Sequence, residues 1–339
     1  MIKLLEPAQA ERWDNYVMAA AGGSFFHLAA WQQVIKRAFG HPTYYYYFEQ
    51  DGQITGVLPL THVKSLLFGN SLVSNAFCVY GGILASDDQS FKALQSQAQQ
   101  LARDLGVDCL EMRNRHQAHP EWPHKELYVT FRKELDADVE KNLNAIPRKQ
   151  RAMVRAGIKA GLVSVIDDNV DRLYAAYSES VRNLGTPVFP KNYFRILKDV
   201  FGKSCEVLSV EYEGRLIASV MSFYFKDEVL PYYGGGVDAA RDLKGNDFMY
   251  WEVMRRAVEK GCKVFDYGRS KIGTGSYRFK KHWGFEPEPL FYEIDLVVAK
   301  QIPEINPLNP KYQLFIAAWK KLPLPVSQWL GPWLAKDLG

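Results

Sequence analysis

Cysteine is scarce. Four cysteines (Cys78, Cys109, Cys205 and Cys262) are scattered through 339 residues, and none forms a C-x-x-C pair. That excludes a disulfide framework and fits buried, hydrophobe-like thiols in a reducing compartment. Long apolar runs are also missing, since no stretch approaches the roughly 18 residues that span a bilayer. Charged residues break every short run of the opening segment MIKLLEPAQAERWDNYVMAA, so it does not read as a secretory leader. The expectation is a cytoplasmic protein. Charge of one sign is lacking too: 42 Lys+Arg against 38 Asp+Glu leave a net charge of only +4. This is too balanced for a nucleic-acid coat protein. The sequence contains no G-x-S-x-G, G-x-x-x-x-G-K-[ST] or G-x-G-x-x-G, so hydrolase, P-loop and dinucleotide-binding readings fall away. His116, His119 and His124 share the loop HQAHPEWPH without a fixed ligand spacing, and no metal is expected.

What is present points to an ordinary globular α/β chain, 47% hydrophobic and 24% charged, long enough for two domains. Helical patterns over residues 8–20 and 31–39 precede a strand at 44–49, a turn at Asp51-Gly52 and a return strand at 54–63. A strand at 72–79 ends at Gly81-Gly82, a helix over 90–105 is closed by Gly106, and a short buried strand follows at 108–113. The second half repeats this order. Helices at 171–183 and 192–201 precede strands at 207–211 and 216–225, which flank Glu213-Gly214. A strand at 229–233 then runs into Gly234-Gly235-Gly236, and a helix over 248–260 is closed by Gly261 before a strand at 264–267. Gly106 and Glu111 correspond to Gly261 and Asp266 at one offset, 155 residues. Two copies of one α/β unit are the sharper reading, and coincidence of common elements is the bland one.

Two segments carry candidate chemistry. Arg148, Lys149, Arg151, Arg155 and Lys159 form a basic helix between the halves with no acid inside it. Its charges serve a ligand, or simply a solvated face. The segment FDYGRSKIGTGSYRFKKHWGF places Asp266 and Arg269 at a strand end, where open α/β sheets bind ligands. Lys280 and Arg269 could stabilise the oxyanion of an acyl-transfer intermediate, or a phosphate on the donor. Asp266 could take a proton from an attacking amine, or hold Arg269 in an ion pair. An ordinary charged strand end is the structural alternative.

Asp266, Gly268-Arg269, Tyr277-x-Phe279-Lys280 and Gly284-Phe285 together resemble the signature of the Fem-type transferases, which consist of two tandem GNAT-like domains. Phe26-His27, Trp31 and Lys36 resemble the family's first-domain pattern, and Arg151 to Gly161 its basic segment. The stretch from Val57 to Leu84 resembles FemAB-like proteins associated with PEP-CTERM/exosortase and exopolysaccharide loci. The resemblance covers nearly the whole chain. It implies an α/β (α+β) fold in which each domain is a mixed, mostly antiparallel sheet flanked by helices. The expected domains are 1–145 and 146–305, sharing a cleft, followed by a Trp- and Pro-rich amphipathic tail at 306–339. It further implies an acyl- or aminoacyl-transferase acting on a cell-envelope or exopolysaccharide precursor, with Lys280, Asp266 and Arg269 catalytic. Tyr277, Phe279, His282, Trp283, Lys36, Trp31, Arg151 and Arg155 would bind substrate, with Phe279 beside Lys280 on the aminoacyl donor and Lys36 and Arg151 on the phosphates of a nucleotide-linked precursor. No cofactor is implied beyond acyl-CoA or aminoacyl-tRNA as co-substrate. The competing class is a non-catalytic scaffold of an export locus.

Two further features bear on donor and location. The loop Arg241 to Asp247 has one glycine and an acid where a CoA pyrophosphate loop needs backbone N–H groups, so it reads as degenerate, with Asn246 or Asp247 as an N-cap. The tail from 310 to 339 sets tryptophans beside lysines, which suits either a peripheral contact at the inner membrane or packing on the domains.

Overall fold

The computed structural model describes residues 1–65, 68–302 and 310–337. The chain forms two compact units: Met1–Tyr128 with Pro289–Ile305 and Lys336–Gly339, and Val129–Glu288 with Asn306–Ala335. These limits differ from the expected 145 and 305. The reason lies in two strands that the helix-and-turn pattern did not reveal, one at 128–134 and one at 291–296.

The first unit contains β1 (Ile2–Leu4), α1 (Ala10–Ala19), α2 (Ala30–Phe39), β2 (Thr43–Gln50), β3 (Gln53–Ser65) and β4 (Gly69–Ser74). It continues with β5 (Leu84–Ala85), α3 (Asp88–Leu105), β6 (Cys109–Asn114), β7 (His124–Lys125) and, from much later in the chain, β16 (Phe291–Leu296). The sheet order is β1-β2-β3-β4-β6-β16-β7, with β5 beside β3. Asp51 and Gly52 take φ of 49° and 76°, the left-handed pair that a tight hairpin needs, and so set the β2–β3 register. The third strand ends at Ser74 rather than 79, because Asn75 and Phe77 adopt φ of 50° and 67° and turn the chain. Leu94, Ala98 and Ala102 of α3 line up one turn apart and pack against Leu58, Leu60, Leu110 and Met112.

The second unit has β8 (Tyr128–Glu134), α4 (Val139–Ala145), α5 (Arg148–Lys159), β9 (Val163–Asp167), α6 (Asp171–Leu184), α7 (Lys191–Phe201) and β10 (Cys205–Tyr212). Then come β11 (Arg215–Phe225), β12 (Glu228–Gly236), α8 (Gly245–Glu259), β13 (Val264–Asp266), β14 (Ser270–Lys271), α9 (Gly275–His282) and β15 (Pro287–Pro289), followed after the first unit's β16 by α10 (Pro310–Trp319) and α11 (Leu324–Ala335). The sheet order is β14-β8-β13-β12-β11-β10-β9, with β15 beside β8. Strand β12 continues through the three glycines instead of ending before them. A Cβ at Gly235 would lie 2.5 Å from Ser180 Cβ, and one at Gly236 2.5 Å from Ala240 Cβ. Only glycine lets the strand lie that close to its neighbours.

Both sheets are mixed. Each contains a parallel pair: β4 with β6 in the first unit and β12 with β13 in the second. The β12–β13 pairing covers only Glu228 with Val264 and Val229 with Phe265. Beyond these residues β12 runs on to Gly236, while β13 ends at Asp266. This fork positions the candidate site.

Candidate active site

The fork is built from its turn outward. On the far side of β13, β8 runs antiparallel and sets Arg132 opposite Asp266. Asp266 is 1% exposed. Its Oδ2 accepts from Arg132 Nη1, and its Oδ1 accepts from the Gly268 N–H at 2.7 Å. Arg132 also forms an ion pair with Glu228 at the start of β12. One guanidinium therefore ties the strands on both sides of β13 to the strand end itself. Gly268 sits at φ 65°, which allows the chain to reverse immediately after the carboxylate.

Helix α9 brings the last part of the signature back over this turn. Thr274 caps it, its Oγ1 accepting from the Tyr277 N–H. Lys280 then points inward, 9% exposed. Its Nζ donates to the carbonyl oxygens of Gly268 at 3.0 Å and Arg269 at 3.1 Å. It also lies 5.6 Å from the ring centre of Phe131 and 5.7 Å from that of Tyr267. Burial pushes the Lys280 ammonium down to about 7, aided by the charge of Arg269 and opposed by that of Asp266. A lysine that is half protonated near neutral pH is unusual. It follows from a wall of aromatic rings around a cation.

Those rings come from β8, β13, α8 and α9 and from the segments that follow β13 and α9. Tyr267 stacks edge-on against Tyr250 of α8 at 4.8 Å, Phe265 at 4.9 Å and Phe285 at 4.8 Å. Tyr277 meets Phe131, and Phe279 meets Tyr250 and Tyr267. The hydroxyls of Tyr267 and Ser270 are buried without a hydrogen-bond partner. They flank in sequence the two carbonyls that hold Lys280, and buried orphan donors at such a place are ready for a ligand.

The structure thus gathers Lys280, Asp266 and Arg269, through direct bonds or charge, with Tyr277 and Phe279 half-buried on α9. His282 is exposed at the end of that helix. Trp283 is fully buried, its indole N–H donating to Asp247 Oδ1 at 3.1 Å, so its expected substrate contact becomes a core contact. Trp31 is likewise fully buried, donating to Phe25 O at 3.1 Å and packed against Phe25 and Phe26. A ring with no exposed surface offers no face to a ligand. Lys36 lies exposed on α2 in the first unit. Arg151 donates to Asn144 O at 2.6 Å, and Arg155 is exposed on α5. His119, one of the three loop histidines, is taken up by Glu293 at 2.8 Å and by stacking on Trp122.

Sequence reasoning missed Arg132, Tyr267 and Ser270. The alternation in YVTFRKE was the available signal for β8, and hence for Arg132.

The first turn of α8 differs from expectation. The N-cap is Lys244 with φ 62°, not Asn246 or Asp247. Asp247 instead turns inward, accepting from Gln150 and Trp283. Burial raises its carboxyl above the usual range. The charged form is therefore the disfavoured one in the folded protein. Asp247→Asn keeps an acceptor for both donors and removes the charge, so its thermal midpoint at pH 7 should rise by about 2 °C. A lower midpoint in a calorimetric scan would show that the ionised carboxylate is needed there.

Residues 141–281 match the family model described as "Acetyltransferase (GNAT) domain". The matched segment lies within the second unit, which is similar to a GNAT domain. The match stops short of half the chain, and the solved structures extend the likeness in fold. The crystal structure of FemX shares 15% identity over 93% of this chain and 100% of its own, with a TM-score of 0.68. The C-terminal domain of a putative lysylphosphatidylglycerol synthetase from Agrobacterium fabrum shares 16% over 85% and 91%, with a TM-score of 0.56. A tandem GNAT protein from the clavulanic acid biosynthesis pathway shares 12% over 87% and 97%, with a TM-score of 0.54. No curated protein matches the sequence. The two mixed sheets flanked by helices, one of them in the unit that holds the matched segment, are the tandem GNAT-like α/β fold that the resemblance implied.

Proposed function

We propose that the chain moves an acyl or aminoacyl group from an activated carrier to an amine or hydroxyl of a cell-envelope or exopolysaccharide precursor. The observation that carries this reading is Lys280, a buried lysine whose ammonium is brought down to about 7 and which is held over the turn that follows β13. An ammonium has three N–H donors, and two are spent on the carbonyls of Gly268 and Arg269. The third is left for substrate.

In this mechanism the acceptor's lone pair attacks the carbonyl carbon of the bound ester or thioester. The carbonyl π pair moves to oxygen, and Lys280 stabilises that oxyanion. Collapse expels the carrier's oxygen or sulfur, and the proton lost by the acceptor balances the leaving group. Asp266, engaged by Arg132 and by Gly268 N–H, positions the turn rather than taking the acceptor's proton. Arg269, exposed, orients a donor phosphate or carbonyl. Arg151 and Arg155 of α5 supply charge for an anionic acceptor. The loop leading into α8 offers a single glycine, Gly245, to a pyrophosphate, which favours an aminoacyl-tRNA or carrier-protein thioester over acyl-CoA.

The test is transfer itself. The purified protein is incubated with aminoacyl-tRNA, acyl-CoA or an acyl carrier-protein thioester and a nucleotide-linked envelope precursor, and products are read by mass spectrometry. Saturable binding of no donor, together with tight binding of an export-locus protein, would sink the transferase reading in favour of a scaffold.

A further inference from the structure

The helix α11 is amphipathic in reverse, and α10 before it leaves large apolar side chains exposed as well. On α11, Ser327, Gly331 and Ala335 lie one turn apart and form the buried face. Their seat is close: a Cβ on Gly331 would lie 2.8 Å from Val188 O, and Gln328 donates to Ser178 Oγ of α6 at 2.8 Å. On α10, Ile316 lies so near Gly185 that a Cβ there would come within 2.4 Å, and Arg182 donates to Leu322 O at 3.1 Å. On α11 the small and polar residues face the protein, while on α10 Ile316 and Trp319, the latter 4% exposed, face it. Other large apolar side chains face out: Trp329 is 70% exposed, Trp333 69%, Leu314 76% and Phe315 41%.

Exposed tryptophans at this level are rare without a purpose, and here they sit a helical turn apart on one face. Lys320 and Lys321 are exposed between the two helices and carry no ion pair among the described residues. Residues 310–335 contain three lysines and no Asp or Glu. No described helix is long and apolar enough to cross a membrane. Large apolar rings next to unopposed lysines, on short helices that cannot span, match the chemistry of a surface that lies in the headgroup layer.

We propose that the outward face of α10 and α11 docks on an anionic lipid bilayer, with Trp329 and Trp333 inserted at headgroup level and Lys320 and Lys321 on the phosphates. The proposal does not rest on the acyl-transfer reading. Its test is co-sedimentation of the full chain with vesicles of phosphatidylcholine alone or with one quarter phosphatidylglycerol. The protein should pellet with the anionic vesicles, and the tryptophan emission should shift to the blue. W329S/W333S should reduce that partitioning at least about tenfold, and K320E/K321E should reduce it on anionic vesicles by a comparable factor. All four side chains are exposed, and unchanged circular dichroism checks that both variants fold. Equal partitioning of wild type and W329S/W333S overturns the proposal. So does dimerisation abolished by W329S/W333S without vesicle binding, which would assign the face to a second copy. Binding only to a protein partner overturns it as well.

Discussion

Lys280→Met is expected to lower turnover by about a hundred- to a thousandfold, the usual loss when one oxyanion donor is removed, while leaving the fold intact. The ratio of wild-type to variant activity carries the more specific information. The ammonium is the acting form, and burial brings its titration to about 7. The ratio should therefore be largest below pH 7 and shrink above it, whatever the acceptor amine itself requires. Asp266→Asn should move this decline to lower pH, because the Asp266 charge helps to hold the proton on Lys280. A ratio that stays constant from pH 6 to 9 removes the charge of Lys280 from the mechanism. Stability gives an independent reading of the same group. Between about 7 and 10.5 the unfolded chain keeps a proton on this lysine and the folded chain does not, so the folded state gains as pH rises. The unfolding free energy of wild type should gain about 2 kcal/mol on that of Lys280→Met between pH 7 and pH 9. Denaturant titrations at the two pH values measure it.

Arg132→Met should destabilise the protein by about 3–5 kcal/mol, the cost of leaving a buried carboxylate without its partner. Asp266 has no exposed side-chain surface, and Arg132 only 11%. Glu228, at 21%, can turn to water more readily. The double variant Arg132→Met/Asp266→Asn should therefore recover a good part of the loss. Equal denaturant midpoints for the single and double variants would show that Arg132 matters for its packing rather than its charge. Because the guanidinium ties β8, β12 and β13 together, the single variant should also loosen the fork and depress activity.

Much of this architecture could be read from local chemistry. Asp51-Gly52 and Glu213-Gly214 announced their hairpins because two consecutive left-handed residues suit few other places. Gly106 announced the end of α3 for the same reason. Asp266, Arg269 and Lys280 were legible as a cluster because they fall within fifteen residues of chain. Arg132 was not, because its role depends on β8 pairing with a strand 134 residues away in sequence. The glycines at 234–236 looked like a strand end, since glycine is poor in strands unless another backbone comes close, and only the packing of α6 reveals that it does. Trp31 and Trp283 matched a ligand pattern but sit in the cores, a difference that burial alone decides. The outward face of α11 was hidden similarly, because the sequence shows an apolar helix without showing which side is covered.

Strand β16 pairs with β6 along its full length, Phe291 with Asn114 through Leu296 with Cys109. On the ribosome, at about 5–20 residues per second, β16 emerges on the order of ten to forty seconds after β6. During that interval the edge of β6 that will receive it has no native partner, and exposed strand edges recruit other chains. The first unit is thus begun first, and its sheet is the later of the two to be completed. Newly made chains should depend on a holdase, and messages truncated before residue 291 should yield aggregates rather than a smaller soluble protein.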